Sequence, residues 1–147
     1  MYKFPKGLYV DVRIEETFDT KIGFKKLTLE EHKIRNNKGA FIRVFDGRRW
    51  YYSSTTDIDG IQAQIDTLAE MAAANPDILE HPIVKAFEVN QDRILQYDKK
   101  SVTDIPVEEK QDLLESYLAL IRDPVIVHHS SFYVDNRTVK SIYTSKG

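Results

Sequence analysis

A chain of 147 residues with 41% hydrophobic and 30% charged side chains is long enough for one domain with a real core and too mixed in character for disorder. It has no cysteine, which excludes a disulfide framework, a thiolate metal site and a cysteine nucleophile, and fits a reducing compartment. The net charge of −2 is uneven: residues 1–56 hold 12 basic and 7 acidic side chains, and residues 57–147 hold 9 and 16. An anionic partner for the first half is one reading; two halves that complement each other within a single domain, 1–147, is the plainer one.

The chain opens on Met1-Tyr2-Lys3-Phe4-Pro5, which lacks the apolar core of a signal peptide, and no later apolar run approaches the roughly 18–20 residues that cross a bilayer. With Met1 as the native start, a soluble cytoplasmic protein is expected. Leu8, Val10, Val12 and Ile14 alternate with Tyr9, Asp11, Arg13 and Glu15, the period of a strand with one face in a core. Residues 20–26 and 29–35 read as two more strands, and Asn36-Asn37-Lys38-Gly39 supplies residues that tolerate positive φ, so a chain reversal is expected there. Residues 40–45 and 48–54 flank Asp46-Gly47, a dipeptide suited to a two-residue type I′ hairpin turn.

Asp57 is placed to cap a helix whose apolar positions Ile58, Ile61, Ile65, Leu68 and Ala72 recur at spacings of three and four, ending near Asn75-Pro76. Residues 77–104 read mostly as loop, with 83–89 fitting either a short helix or a strand. Pro106 suits a first helical turn, and Val107, Leu114, Tyr117, Leu118 and Ile121 form a second stripe ending at Asp123-Pro124. Residues 125–135 and 138–144, parted by Asp135-Asn136-Arg137, read as a closing antiparallel pair. The order five strands, helix, loop, helix, two strands predicts an α+β fold: a two-layer sandwich with a mainly antiparallel sheet and two helices on one face.

Catalytic patterns are missing. His32, His81, His128 and His129 include no pair on one helix face with a glutamate beside it, and His128-His129 in a strand would point to opposite faces. Ser53, Ser54, Ser130, Ser131, Ser141 and Ser145 lie in no nucleophile elbow. Glu108, Glu109, Asp112 and Glu115 suit the positive end of a helix dipole, and the six scattered glycines form no phosphate cradle. Arg43, Arg48, Arg49, Trp50, Tyr51 and Tyr52 mix cations with aromatics as a single-strand nucleic-acid platform does. A strand with Trp50 and Tyr52 packed on one face and Arg49 and Tyr51 on the other explains the same residues, so nucleic acid is not the expected partner.

Five segments, in order, resemble the N-terminal domain of the TldD/PmbA metallopeptidases, a family also labelled "modulator of DNA gyrase". They are Tyr9-Val10-Asp11-Val12-Arg13, similar to an acidic-x-Arg strand; Gly39-Ala40-Phe41-Ile42-Arg43-Val44, similar to a G-x-x-x-R-V strand; and Asp46-Gly47 with Tyr52-Ser53-Ser54-Thr55-Thr56-Asp57-Ile58, similar to a hairpin and helix entry. Residues 106–121 resemble the family's second helix, and Tyr143-Thr144-Ser145-Lys146-Gly147 its N-S-x-G ending, with Thr144 in place of asparagine. Trp50-Tyr51-Tyr52 departs from the family's glycine-and-phenylalanine pattern.

The resemblance implies a hydrolase, a protease of unstructured peptides that encloses its active site in a homo- or heterodimer. It also implies that zinc and its H-E-x-x-x-H helix belong to a C-terminal domain outside this sequence. On that reading this chain has no catalytic or metal residue, and its partners are its own C-terminal domain, a homologous subunit and a peptide substrate. Arg13 and Arg43 are the candidate substrate-binding residues. A free-standing module that binds a protein or peptide along a sheet edge is the alternative.

Overall fold

The alternation that starts at Leu8 continues far beyond Ile14. In the structure, a computed structural model that describes residues 2–97, 99–121 and 123–147, strand β1 runs unbroken over Tyr9–Lys25 and β2 over Thr28–Phe45. Four of the expected strands are therefore two. The chain reverses around Lys26, whose φ is 56°, and Asn36-Asn37-Lys38-Gly39 makes no turn but extends β2. Turn preference is a local bias, and the ladder of hydrogen bonds that β1 offers along β2 overrides it.

The hairpin at Asp46-Gly47 forms, with β3 (Trp50–Thr55) antiparallel to β2 and Phe45 opposite Trp50. That register leaves four residues in the loop rather than two. The Asp46 carboxylate accepts the N–H groups of Arg48 and Arg49, each at 2.7 Å, and Gly47 sits at φ 94°, so the aspartate side chain closes a wider turn than a type I′ pair would. Near the C-terminus, 125–129 lie outside any strand and the closing pair is one strand, β4 (Ser130–Thr144), through Asp135-Asn136-Arg137. The α+β class with an antiparallel sheet holds, the described residues forming four strands in the order β3-β2-β1-β4.

Contacts gather into two compact units. The first comprises Met1–Glu16, Lys38–Ile94 and Val139–Gly147. Here α1 (Ile61–Met71) buries Ile61, Ile65 and Leu68 against Val10, Val12, Ala40, Ile42 and Val44, with Ile58 and Ala72 at the margin, as the stripe predicted. Each fully buried aliphatic side chain contributes about 1.5–3 kcal/mol. The helix starts later and ends sooner than expected. Asp57 accepts the N–H of Gly60 at 3.1 Å instead of capping the helix, Gly60 is the N-cap, and the backbone turns extended at Ala72. On the opposite side of the sheet Tyr9, Phe45, Ile78 and Val84 form a second cluster joined by Trp50 and Phe87. Residues 83–89 supply part of it through a short helix, α2 (Pro82–Lys85), capped by His81 Nδ1 accepting from the Ile83 N–H.

The second unit comprises Thr17–Asn37 and Leu95–Thr138. Its helix α3 (Val107–Leu118) buries Leu114 and Leu118 against Ile22 and Phe24. Pro106 is the N-cap rather than a first-turn residue, Tyr117 is exposed, and Ala119–Ile121 form a tighter 3₁₀ turn. Because β3 pairs only with residues 40–45 and the other neighbour of β2 is β1, no strand borders the outer edge of residues 28–37 among the described residues. Glu31, on that stretch, is held by Lys21 at 2.7 Å and Lys33 at 2.8 Å, which lower its pKa to about 2.

Candidate functional site

The sheet face that carries the odd residues of β1 and β2 concentrates the polar and aromatic side chains of the first unit. Asp11, a buried carboxylate, receives both Arg43 Nε at 2.9 Å and Nη2 at 2.5 Å, a two-point grip that only a guanidinium makes. The Asp11 hydrogen bonds raise the Arg43 pKa further. Arg13 approaches the same carboxylate at 3.4 Å from a half-exposed position. Tyr9, beside them, is pushed up to about 12, first by burial and then by the Asp11 charge.

The two candidate binding residues are thus brought together on one carboxylate. Arg43 is held by it, and its guanidinium also lies 4.8 Å over the Trp50 ring, an arrangement that ties the strands together.

Next to this pair the aromatics form a ladder across β2 and β3. Phe45 stacks on Trp50 at 4.6 Å, Trp50 on Tyr52 at 6.4 Å and Phe41 on Tyr52 at 5.8 Å. Its inner end is covered by Phe87, while Phe41 is 41% and Tyr52 56% exposed. The expected division of faces is half right. Trp50 and Tyr52 do share a face, but Tyr51 packs with the α1 core and Arg49 lies in the turn, not on the strand. Arg48 and Arg49 are exposed and have no ion-pair partner among the described residues.

Other motif residues also hold backbone. Ser145 Oγ accepts the Val10 N–H at 2.9 Å while its own N–H reaches the Val10 carbonyl at 2.8 Å. Asp46 is lowered in pKa because the amides of Arg49 and Arg48 and the Tyr51 hydroxyl outweigh the effect of its burial. The segments that make the sequence recognisable are therefore the ones that fasten β1, β2 and the hairpin.

The second unit contains a network with no sequence-level signal of function. Lys110, 2% exposed on α3, donates to Thr20 Oγ1 at 3.0 Å and to the Val102 carbonyl at 2.8 Å, and pairs with Asp135 at 2.9 Å. Tyr133 donates to the same Asp135 oxygen at 2.8 Å and is pushed up to about 12, first by burial. Burial alone would raise the Asp135 pKa, but hydrogen bonds from Lys110, Tyr133 and Thr20 prevail and lower it. A lysine beside a hydroxyl resembles a nucleophile and its base. Thr20 is wholly buried, so no substrate reaches it and the network is structural. The signal was available: Val107, Lys110, Leu114 and Leu118 share one stripe.

An open depression of about 350 Å³ lies in this unit between Lys21, Glu31 and Phe132, and two of the lysines that line it, Lys21 and Lys33, are paired with Glu31. The histidines stay apart. His32 and His128 are exposed, His81 caps α2, and His128-His129 precede β4 instead of lying in it. Among the described residues no three His, Cys, Asp or Glu side chains could share a metal ion, and no helix is long and apolar enough to cross a membrane. The metal that a metallopeptidase requires does not fit these residues.

Comparison with known proteins follows the same lines. Residues 10–75 match PmbA/TldA metallopeptidase domain 1. The fold is similar to that of a Thermotoga maritima protein described as a modulator of a DNA gyrase, with a TM-score of 0.72 and 16% identity, covering 96% of this chain and 32% of that one. A Bacteroides thetaiotaomicron protein described as a modulator of DNA gyrase gives 0.61 and 16%, covering 95% and 33%. At that identity the likenesses speak for the fold alone, and the chain spans about a third of the length of either protein. No curated protein matches the sequence. The family that the strand and hairpin motifs resemble is the family that residues 10–75 match, the PmbA/TldA metallopeptidases, in their first domain.

Proposed function

We propose that this chain is the non-catalytic N-terminal domain of a cytoplasmic, dimeric zinc metallopeptidase that cleaves unstructured peptides, and that its sheet helps to enclose the substrate. The observation that carries the reading is the match to domain 1 over residues 10–75, in a chain whose described residues offer no metal-binding group. What the chain does offer is an edge. β3 ends the sheet, so the outward N–H and C=O groups along it can pair with an extended peptide whatever its side chains. Cleavage then belongs to a metal-bearing domain, and this domain presents the segment to be cut.

The test is a full-length protein with and without residues 1–147, assayed on an unstructured peptide, with bound zinc measured in both. Loss of cleavage with zinc retained is the expected result; unchanged cleavage would defeat the proposal. The open edge equally supports a free-standing peptide-binding module, and the gene distinguishes the two: an in-frame H-E-x-x-x-H segment beyond Gly147 supports the peptidase reading, and a stop codon supports the module.

A further inference from the structure

The loops that flank β3 carry opposite charges. At the Trp50 end stand Arg48 and Arg49, both exposed and without an ion-pair partner among the described residues. At the Thr55 end stand Asp57 and Asp59, also exposed; the Asp57 carboxylate accepts the Gly60 N–H, and neither carboxylate has an ion-pair partner among the described residues. The five steps from Trp50 to Thr55 separate the two ends by roughly 17 Å at strand rise. Midway, on the face opposite α1, the exposed Tyr52 ring stacks with Phe41 and offers an aromatic surface.

We infer that the outer edge of β3 takes an extended peptide of defined polarity, a deepening that rests on the edge-binding reading above. Antiparallel pairing, slightly the more stable per residue, makes the peptide run from the Thr55 end to the Trp50 end. Its basic side chain then comes first, beside Asp57 and Asp59, and its acidic side chain about five residues later, beside Arg48 and Arg49. Between them, an aromatic or branched apolar side chain rests on Tyr52. A single-stranded nucleic acid fits less well: the aspartates repel phosphate, and the inner rings of the ladder are covered by Phe87.

The test uses fluorescence anisotropy on the 147-residue chain with four labelled probes: a six-residue peptide in the order basic, apolar, polar, aromatic, polar, acidic; its isomer with the two charges exchanged; a copy N-methylated at alternate backbone nitrogens; and oligothymidine. The first peptide is expected to bind about five- to tenfold more tightly than the exchanged isomer, the scale of two exposed ion pairs, and the N-methylated copy not to bind. The variant Arg48→Glu/Arg49→Glu/Asp59→Lys, checked for an unchanged circular dichroism spectrum, should reverse the preference. Equal binding of both isomers overturns the polarity and leaves edge pairing standing. Binding of the N-methylated copy, or of no peptide at all, overturns edge pairing as well, and tighter binding of oligothymidine overturns the choice of partner.

Discussion

Replacing Lys110 by methionine removes the cation from a deeply buried ionic network while keeping much of its length. The ammonium is 2% exposed and meets Thr20, the Val102 carbonyl and Asp135. Without it, Asp135 keeps only neutral hydroxyls, those of Tyr133 and Thr20, beside its charge. An uncompensated buried charge of this kind costs about 3–5 kcal/mol. At about 2 kcal/mol per molar urea, the far-UV circular dichroism midpoint should fall by roughly 2 M, and hydrogen exchange of the α3 amides should quicken with it.

The double variant Lys110→Met/Asp135→Asn should regain more than half of the loss, because no charge is left behind. The pH dependence has a definite sign. Asp135 is depressed in the folded chain, so its contribution is present above its unfolded value and lost as pH falls through the folded one. The gap between wild type and Lys110→Met should therefore narrow in acid. A single-variant loss below about 1 kcal/mol, the scale of a surface ion pair, or a double variant no better than the single, would show that the network does not carry the stability assigned to it.

Two further outcomes follow from the first unit. Arg43→Lys keeps the charge but gives up the two-point grip on Asp11 and the stacking over Trp50; a cost of about 1–3 kcal/mol should appear in denaturation together with a changed Trp50 emission, and unaltered emission would contradict the geometry. Tyr9 and Tyr133 ionise near 12 in the folded chain against 10.0 ordinarily, so stability should be lost as pH climbs from the unfolded value toward the folded one, and absorbance should show two phenolates forming late. A titration with every tyrosine ionising near 10 would refute the burial assigned to them.

What the sequence makes legible divides by range. The α1 stripe and the place of the hairpin are local and legible, because spacing at three and four and an Asp-Gly pair act on neighbouring residues, although the turn takes four residues and the helix ends shift. Merging of the expected strands is not local. Asn36-Asn37 and Asp135-Asn136 carry turn preferences that only a paired neighbour can overrule, and no window of residues contains that neighbour. Lys110 is hard to read from the sequence for a different reason. A lysine in an amphipathic helix ordinarily faces water, and only Asp135, 25 positions away on another element, allows it inside. Arg43 stood out as a strand arginine, but its role as a clasp on Asp11 depended on two strands lying side by side.

The margin of β2 at residues 28–37, which no strand borders among the described residues, invites stacking of one molecule upon another, the growth mode of fibrils. Parallel in-register stacking would set Glu30 and Glu31 of one copy against the same glutamates of the next, and Lys33 and Arg35 likewise. Repetition multiplies that repulsion with every added layer. The like charges that lie harmlessly within a single molecule thus act as a guard against ordered aggregation along this flank.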